Sequence, residues 1–304
     1  MPVPSSDPTS RLTRARISLD LLSLGDAFGD RFFAATGAEA LRTRSLPPGP
    51  WLSSDDTEMA LGIYDCLARH GRIEQDALAR ILALRYQANP LKGYGGTIRG
   101  VFHAILEGMD WQTASARAYD GEGSMGNGGA MRVPVLGAYF ADDLNLTIEE
   151  ARRSAAVTHA HPDGQAGAIA VAVAAAWTWR SATWDRVDFF RTVLEAVPPG
   201  ATYDGIARAR DLPAAYQLLT AVAALGNGTR VVSSDTVPLC LWIIARHPDD
   251  IVEALWTAVA AEGDRDTTCA IIAGVMAGLG HAAQPPSPWL EMREPLHFDS
   301  DRRH

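Results

Sequence analysis

The sequence has few cysteines, no long apolar run and no apolar segment near its N-terminus. Its three cysteines, Cys66, Cys240 and Cys269, are widely spaced and show neither a disulfide framework nor zinc-ligand spacing, so we expect core residues in a reducing compartment. The most apolar stretch, residues 167–177, is too short to span a bilayer. The N-terminal segment lacks the apolar region of a secretory signal. These absences predict a cytoplasmic protein that does not associate with membranes.

A sustained basic tract is also absent, and the net charge is −9. Binding to a nucleic-acid backbone normally needs clustered lysines and arginines, so we do not expect general binding to nucleic acid. A substrate that carries phosphates still fits, because backbone amides and metal ions can hold one. Hydrophobic residues make up 47% of the chain, which is typical of a globular protein with a large core.

Alternating strand patterns are nearly absent, whereas almost every segment has helical spacing, as at Met59, Ile63 and Leu67. We therefore predict an all-α fold, a compact single-domain helical bundle. The Pro- and Ser-rich residues 1–10 are expected to be disordered, residues 11–283 to form the domain, and residues 284–304 to form a loose Pro-rich and charged tail. Within the domain, Thr147 and Glu150 have the spacing of a capping box.

Two short acidic clusters stand far apart, at residues 54–58 and 264–268, each just ahead of an apolar helical run. Asp and Ser are favoured helix caps, and Asp55 with Glu58 fits a capping box, so each cluster alone has a purely structural interpretation. A cap needs only one acceptor, however, and each cluster offers two neighbouring carboxylates and a hydroxyl. Paired in space, the clusters would form one oxygen-lined site for one or two hard divalent cations.

Two glycine-rich segments and a histidine pair lie between these clusters. Residues 25–29 fit a helix C-cap followed by a tight turn. Residues 123–132 let the backbone approach a ligand closely, but they lack the lysine of a phosphate-binding P-loop. His159 and His161 are two residues apart and do not share a helical face, so zinc is not favoured, and one imidazole is expected to project into a cleft.

In chain order these motifs resemble the ADP-ribosylglycohydrolase family, which includes the dinitrogenase reductase-activating glycohydrolases and the ADP-ribosyl-acceptor hydrolases. The resemblance is carried by GDAFG at 25–29, SDDTEM at 54–59, GNGGAMR at 126–132, THAHP at 158–162 and GDRDTT at 263–268. It implies an all-α enzyme with a binuclear metal cleft, which hydrolyses the bond between ADP-ribose and an acceptor with a pair of divalent metal ions, Mg²⁺ or Mn²⁺.

The resemblance also implies roles for individual residues. The metal ligands it implies are Ser54, Asp55, Asp56, Asp264, Asp266 and Thr267. The residues implied to lie against the diphosphate and distal ribose are Gly126, Asn127, Gly128, Gly129 and Ala130, with His159 as a further contact to ADP-ribose.

One position departs from the family pattern. Many members have a glutamate seven residues after the Asp of the GD pair, where it acts on the scissile bond, and this chain has Phe33 there. We predict Asp30 and Asp56 as the catalytic residues; either Asp30 acts from a shifted position, or the metal-bound water suffices without it. A catalytically inactive ADP-ribose-binding protein and a metal phosphohydrolase are the alternatives. The acceptor stays open among arginine, serine, a nucleobase and O-acetyl-ADP-ribose.

Overall fold

The computed structural model describes residues 4–298, and in that part of the chain no β-strand is present. The first helices are α1 (Pro8–Asp30), α2 (Ala35–Thr43), α3 (Asp55–His70), α4 (Gln75–Ala88), α5 (Gly96–Leu106), α6 (Trp111–Ala116), α7 (Gly128–Met131), α8 (Pro134–Tyr139) and α9 (Leu144–Ala156). The later ones are α10 (Pro162–Arg180), α11 (Arg186–Ala196), α12 (Ala201–Asp211), α13 (Leu218–Leu225), α14 (Ser233–Arg246), α15 (Ile251–Ala260), α16 (Arg265–Met276) and α17 (Ser287–Met292). Short 3₁₀-helices cover Ala118–Gly121 and Ala277–Ala283. The prediction of an all-α single domain is confirmed.

Helix α10 forms the centre of the fold. Almost all its residues from Gly164 to Thr178 are buried, and it packs against α7, α8, α9, α11, α14 and α16. A helix that is apolar on every side must be surrounded by protein or lipid, and its many alanines let these neighbours approach closely. Among the described residues, none of the helices combines the length and apolarity needed to cross a membrane.

The three cysteines are buried and free, as predicted. Cys66 lies on α3, Cys240 on α14 and Cys269 on α16, where each is a small core side chain. The reducing, cytoplasmic location inferred from them stays a prediction.

Glycines set the distance between α1 and α16. A Cβ added at Gly25 would lie 2.3 Å from the carbonyl oxygen of Cys269, and one at Gly29 would lie 2.4 Å from that of Arg265. The interpretation of residues 25–29 as a C-cap and turn is therefore wrong, because α1 continues to Asp30 and its glycines serve close helix packing. This contact brings the last turns of α1 beside the acidic start of α16.

Both ends of the domain differ from the predicted boundaries. Helix α1 begins at Pro8, with Asp7 as the N-cap whose Oδ2 accepts a hydrogen bond of 3.0 Å from the Ser10 amide. Residues 8–10 are therefore helical rather than disordered, because a capping aspartate followed by proline favours a helix start. Residues 1–3 lie outside the described part of the chain.

The segment expected to be a loose tail from residue 284 packs on the domain up to residue 298, where the described part ends. Trp289 is 4% exposed, stacks on Phe28 with 4.9 Å between ring centroids and contacts Trp51 edge-on. The backbone of Trp51 exchanges hydrogen bonds with Met292 and Glu294. Burial of aromatic surface outweighs the turn-forming prolines here, and Trp51 is a core residue rather than part of a cleft.

Replacement of Trp289 by alanine tests this packing. We expect Trp289→Ala to lower the free energy of unfolding by about 3–5 kcal/mol, since it removes a large buried ring and leaves a cavity. Urea unfolding measures the change, and Leu290→Ala, at an exposed neighbour, serves as the control. A loss below about 1 kcal/mol, as for an ordinary surface site, would show that the segment does not belong to the core.

Candidate active site

The two acidic clusters meet in space at the N-termini of α3 and α16. Ser54 is the N-cap of α3, and its Oγ donates a 2.8 Å hydrogen bond to Asp56 Oδ2. The Oγ of Thr267, from α16, donates to the same oxygen at 3.3 Å. Hydroxyls from both clusters therefore converge on one carboxylate.

Asp26 joins the site from α1 and was not assigned a role by the sequence analysis. Ligand atoms of Asp26, Asp56 and Asp266 all lie within 4.8 Å of one another. Asp26 also accepts hydrogen bonds from the amides of Ser54 and Thr57 at 2.9 and 3.1 Å, so it fixes the start of α3. Asp26 stands four residues before Asp30, a spacing that places both carboxylates on one face of α1. This spacing is the feature of the sequence that could have indicated a role for Asp26.

Burial and mutual repulsion disfavour ionisation of these carboxyl groups. Burial raises the pKa of Asp26 to about 6, and burial together with the charge of Asp26 raises the pKa of Asp55 to about 7. Burial, then repulsion from Asp266, raises the pKa of Asp56 well above its usual range. The pKa of Asp266 is raised in the same way by burial and Asp264, and that of Asp264 is raised by burial. Nearby cations would relieve this cost.

The donor set fits divalent cations. Asp56 Oδ1 and Asp266 Oδ1 are buried and accept no hydrogen bond from any described residue, although buried polar atoms are normally satisfied. Carboxylate and hydroxyl oxygens are the ligands that Mg²⁺ and Mn²⁺ prefer.

The capping-box interpretation of the first cluster is wrong. Ser54 caps α3, and Glu58 instead accepts hydrogen bonds from Arg85 and Asn89, each at 3.1 Å. In the second cluster, Asp264 stands at the N-cap position of α16 but makes no side-chain cap.

A cleft of about 430 Å³ opens from the carboxylates. Of the predicted substrate-binding residues, Gly126, Asn127, Gly128 and His159 line it, whereas Gly129 and Ala130 are buried behind it. The side-chain amide of Asn127 donates to Asp264 Oδ2 at 2.6 Å. Asn127 therefore also orients a carboxylate.

His159 lies against the backbone of the glycine-rich loop. A Cβ added at Gly126 or Gly128 would be 3.2 Å from its Nε2, so these glycines make room for the ring. Its Nδ1 is 2.7 Å from the Thr158 hydroxyl. Burial, with a smaller effect of the Arg132 charge, lowers the pKa of His159 to about 3, so its imidazole is neutral near pH 7. His161 instead caps α10, where its Nδ1 accepts from the Asp163 amide at 3.0 Å.

A second pocket, of about 690 Å³, also reaches the acidic cluster. Asp266 and Gly93 line both cavities. Asp30, the last residue of α1, is half-buried in this pocket, and its burial raises the pKa of its carboxyl group. Phe33 is 52% exposed at the pocket wall, with the Arg265 guanidinium 5.9 Å from its ring centroid. The two cavities therefore meet at Asp266.

Comparison with known proteins places this chain in a family. The family model described as ADP-ribosylglycohydrolase matches residues 7–302. ADP-ribosylhydrolase ARH3 of Homo sapiens is 27% identical over 331 residues, which cover 93% of this chain and 90% of the relative. An uncharacterized protein of Archaeoglobus fulgidus is 28% identical over 251 residues, which cover 81% of this chain and 76% of the relative.

A solved structure described as an ADP-ribosylglycohydrolase-related protein complex has the same fold, with a TM-score of 0.67, 22% identity and 93% of each chain covered. The family match spans nearly the whole sequence, and its members are metal-dependent hydrolases of glycosidic bonds. The chain therefore belongs to the ADP-ribosylglycohydrolase family and is a glycosidic-bond hydrolase.

Proposed function

We propose that the protein hydrolyses an ADP-ribosyl linkage at the anomeric carbon of the distal ribose and releases ADP-ribose from a modified acceptor. The observation that carries this proposal is the carboxylate cluster, at which two cavities share Asp266 as a lining residue and where buried oxygens of Asp56 and Asp266 accept no hydrogen bond from the described residues. A bond held at that point can have its ADP-ribose part in one cavity and its acceptor in the other.

Two divalent ions, Mg²⁺ or Mn²⁺, are the cofactors in this proposal. The residues that would hold them are Ser54, Asp55, Asp56, Asp264, Asp266 and Thr267, together with Asp26. Such ions grip sugar hydroxyls and make a water molecule more acidic. The ligand oxygens come from α1, α3 and α16, whose close packing fixes the sugar in one orientation.

ADP-ribose binding is assigned to the smaller cleft. Gly126, Asn127 and Gly128 line it with little side-chain bulk, so a diphosphate can approach their backbone. Gly129 and Ala130, behind the cleft wall, support this loop. The neutral imidazole of His159 offers a hydrogen bond without charge.

The acceptor is assigned to the second pocket, where Asp30 is the carboxylate that we propose for proton transfer. Cleavage of the glycosidic bond develops oxocarbenium character on the ribose and negative charge on the leaving group. A half-buried acid with a raised pKa keeps a proton to higher pH and can donate it to that group. Asp56 would contribute as one of the residues that hold the cations.

Replacement of Asp30 by asparagine tests this role. We expect Asp30→Asn to lower kcat by about 10²-fold or more, since general acid–base groups typically contribute that much, with ADP-ribose affinity nearly unchanged. Asp20→Asn, on the same helix but outside both the cleft and the second pocket, is the matched control. An unchanged kcat would show that Asp30 is not the proton donor.

The function itself is tested with a panel of ADP-ribosylated acceptors. The purified protein is incubated with ADP-ribosyl-arginine, ADP-ribosyl-serine, an ADP-ribosylated nucleobase or O-acetyl-ADP-ribose, in Mg²⁺ or in EDTA, and products are separated by chromatography. Release of free ADP-ribose only with Mg²⁺ supports the proposal and identifies the acceptor. Release of AMP would instead indicate a phosphohydrolase, and binding of ADP-ribose without any release would indicate an inactive ADP-ribose-binding protein.

A further inference from the structure

Arg132 is a buried cation without a carboxylate partner among the described residues. It is 0% exposed, and its Nη2 donates a 2.6 Å hydrogen bond to the carbonyl oxygen of Ser154. Its Nε and Nη1 donate to no described residue. Buried charges in proteins are normally paired, because an uncompensated one costs several kcal/mol. Arg85, buried to a similar degree, follows that rule and pairs with Glu58 and Asp65.

The position of Arg132 links it to the cleft without placing it in the cleft. It directly follows α7, which begins in the glycine-rich loop, and its neighbour Met131 lines the cleft. The carbonyl of Ser154 belongs to the last turn of α9, where the helix dipole amounts to only about half a negative charge. Because the Ser154 carbonyl carries only a partial negative charge, Arg132 keeps net positive charge next to the glycine-rich loop.

The charge persists at neutral pH. Burial lowers the pKa of Arg132 to about 9, which leaves the guanidinium protonated near pH 7. The positive charge of Arg132 acts on a residue of the cleft wall, since it helps to lower the pKa of His159. Water does not reach Arg132, so its field is screened less than that of a surface arginine.

We propose that Arg132 is a positioning residue whose missing counter-charge is the diphosphate of the bound ligand, held against the glycine-rich loop. This inference rests on the proposed function. The free protein tolerates an unpaired buried charge, and an anionic ligand completes the pair through space. Arg132 therefore favours ligands that carry a diphosphate over uncharged nucleosides, although it does not line the cleft.

The test is Arg132→Met, which keeps much of the side-chain volume and removes the charge. Binding of ADP-ribose in Mg²⁺ is measured by calorimetry and binding of adenosine by ligand-detected NMR. We expect the Kd for ADP-ribose to rise by about tenfold or more, and that for adenosine to change by less than about twofold, because only the first ligand is charged. The melting temperature should stay equal or rise, because an unpaired buried charge has been removed.

Two further variants keep the result interpretable. Arg132→Lys retains the charge and should keep most of the preference for ADP-ribose, which gives a second measurement if the Met variant does not fold. Arg14→Met removes another buried arginine, one that pairs with Asp142 and donates to the carbonyls of Ala138 and Tyr139. That variant should lose stability and keep its ADP-ribose affinity.

Each contrary outcome has one meaning. If ADP-ribose binds Arg132→Met as well as it binds the wild type, or if both ligands weaken equally, Arg132 does not act through ligand charge. A lower melting temperature with unchanged ligand preference would make Arg132 only a support for the end of α9. If the wild-type protein does not bind ADP-ribose in Mg²⁺, the proposed function itself fails.

Discussion

Asp266→Asn is expected to weaken Mn²⁺ binding and to slow the release of ADP-ribose by about 10²-fold or more, while the protein still folds. Asp266 Oδ1 is a buried oxygen that accepts no hydrogen bond from the described residues, and its carboxylate lies within 4.8 Å of those of Asp26 and Asp56. Loss of a mere supporting partner of a metal ligand already costs about 10–100-fold in affinity or activity. Loss of a direct ligand of the ions should lower affinity and activity by more than that. Calorimetry and steady-state kinetics measure the two effects.

The fold provides a matched control for Asp266→Asn. Asp143→Asn changes a carboxylate that caps α9 outside both the cleft and the second pocket, so activity should stay near that of the wild type. Without metal, Asp266→Asn should be at least as stable as the wild type, because it removes one of several mutually repelling carboxylates. Near-normal activity in a well-folded Asp266→Asn protein would refute the assignment of the metal site.

The second large effect is expected in the stability of the metal-free protein, which should fall as the pH rises from about 4 to about 7. The folded-state pKa values of Asp26 and Asp55 are about 6 and about 7, against 3.8 for an unperturbed aspartate. Between these values the folded state binds more protons than the unfolded state, so unfolding becomes easier as the pH rises. The loss is on the order of several kcal/mol, at about 1.4 kcal/mol per pKa unit.

Divalent ions should remove this loss. Metal binds the ionised carboxylates of the folded state and stabilises it by mass action, most strongly where those groups are ionised. Melting temperatures at pH 5, 6, 7 and 8, in EDTA and in excess Mg²⁺, measure the effect. In EDTA we expect the melting temperature to fall as the pH rises, and in Mg²⁺ to fall less. In EDTA, the melting temperature of Asp55→Asn should fall less than that of the wild type. Identical series with and without Mg²⁺ would contradict the account.

Local signals in the sequence predicted much of the fold and the helix starts of the site. The acidic segments form the N-cap positions and first turns of α3 and α16, as expected because capping residues and acidic first turns mark helix N-termini. Glycine within a helical pattern is typical of close helix packing, and a Cβ added at Gly274 would lie 2.7 Å from Pro134.

Features that depend on contacts between distant segments were not predictable in the same way. Asp26 becomes part of the site only because α1 continues past its glycines and packs on α16. Glu150 does not form the expected capping box with Thr147, since Asp143 caps α9 and Glu150 accepts from the distant Ile73 amide. In each case a contact with a distant segment prevails over the local motif. The same holds for the segment from residue 284, which was expected to be loose but packs on the domain through Trp289.

The most direct test of the central claim is a titration of metal-stripped protein with Mn²⁺, in which bound metal and the rate of ADP-ribose release are measured on the same sample. The account predicts no release without metal and a rate that saturates as two ions bind per chain. Release at full rate in EDTA, or metal binding that leaves the rate unchanged, would contradict it.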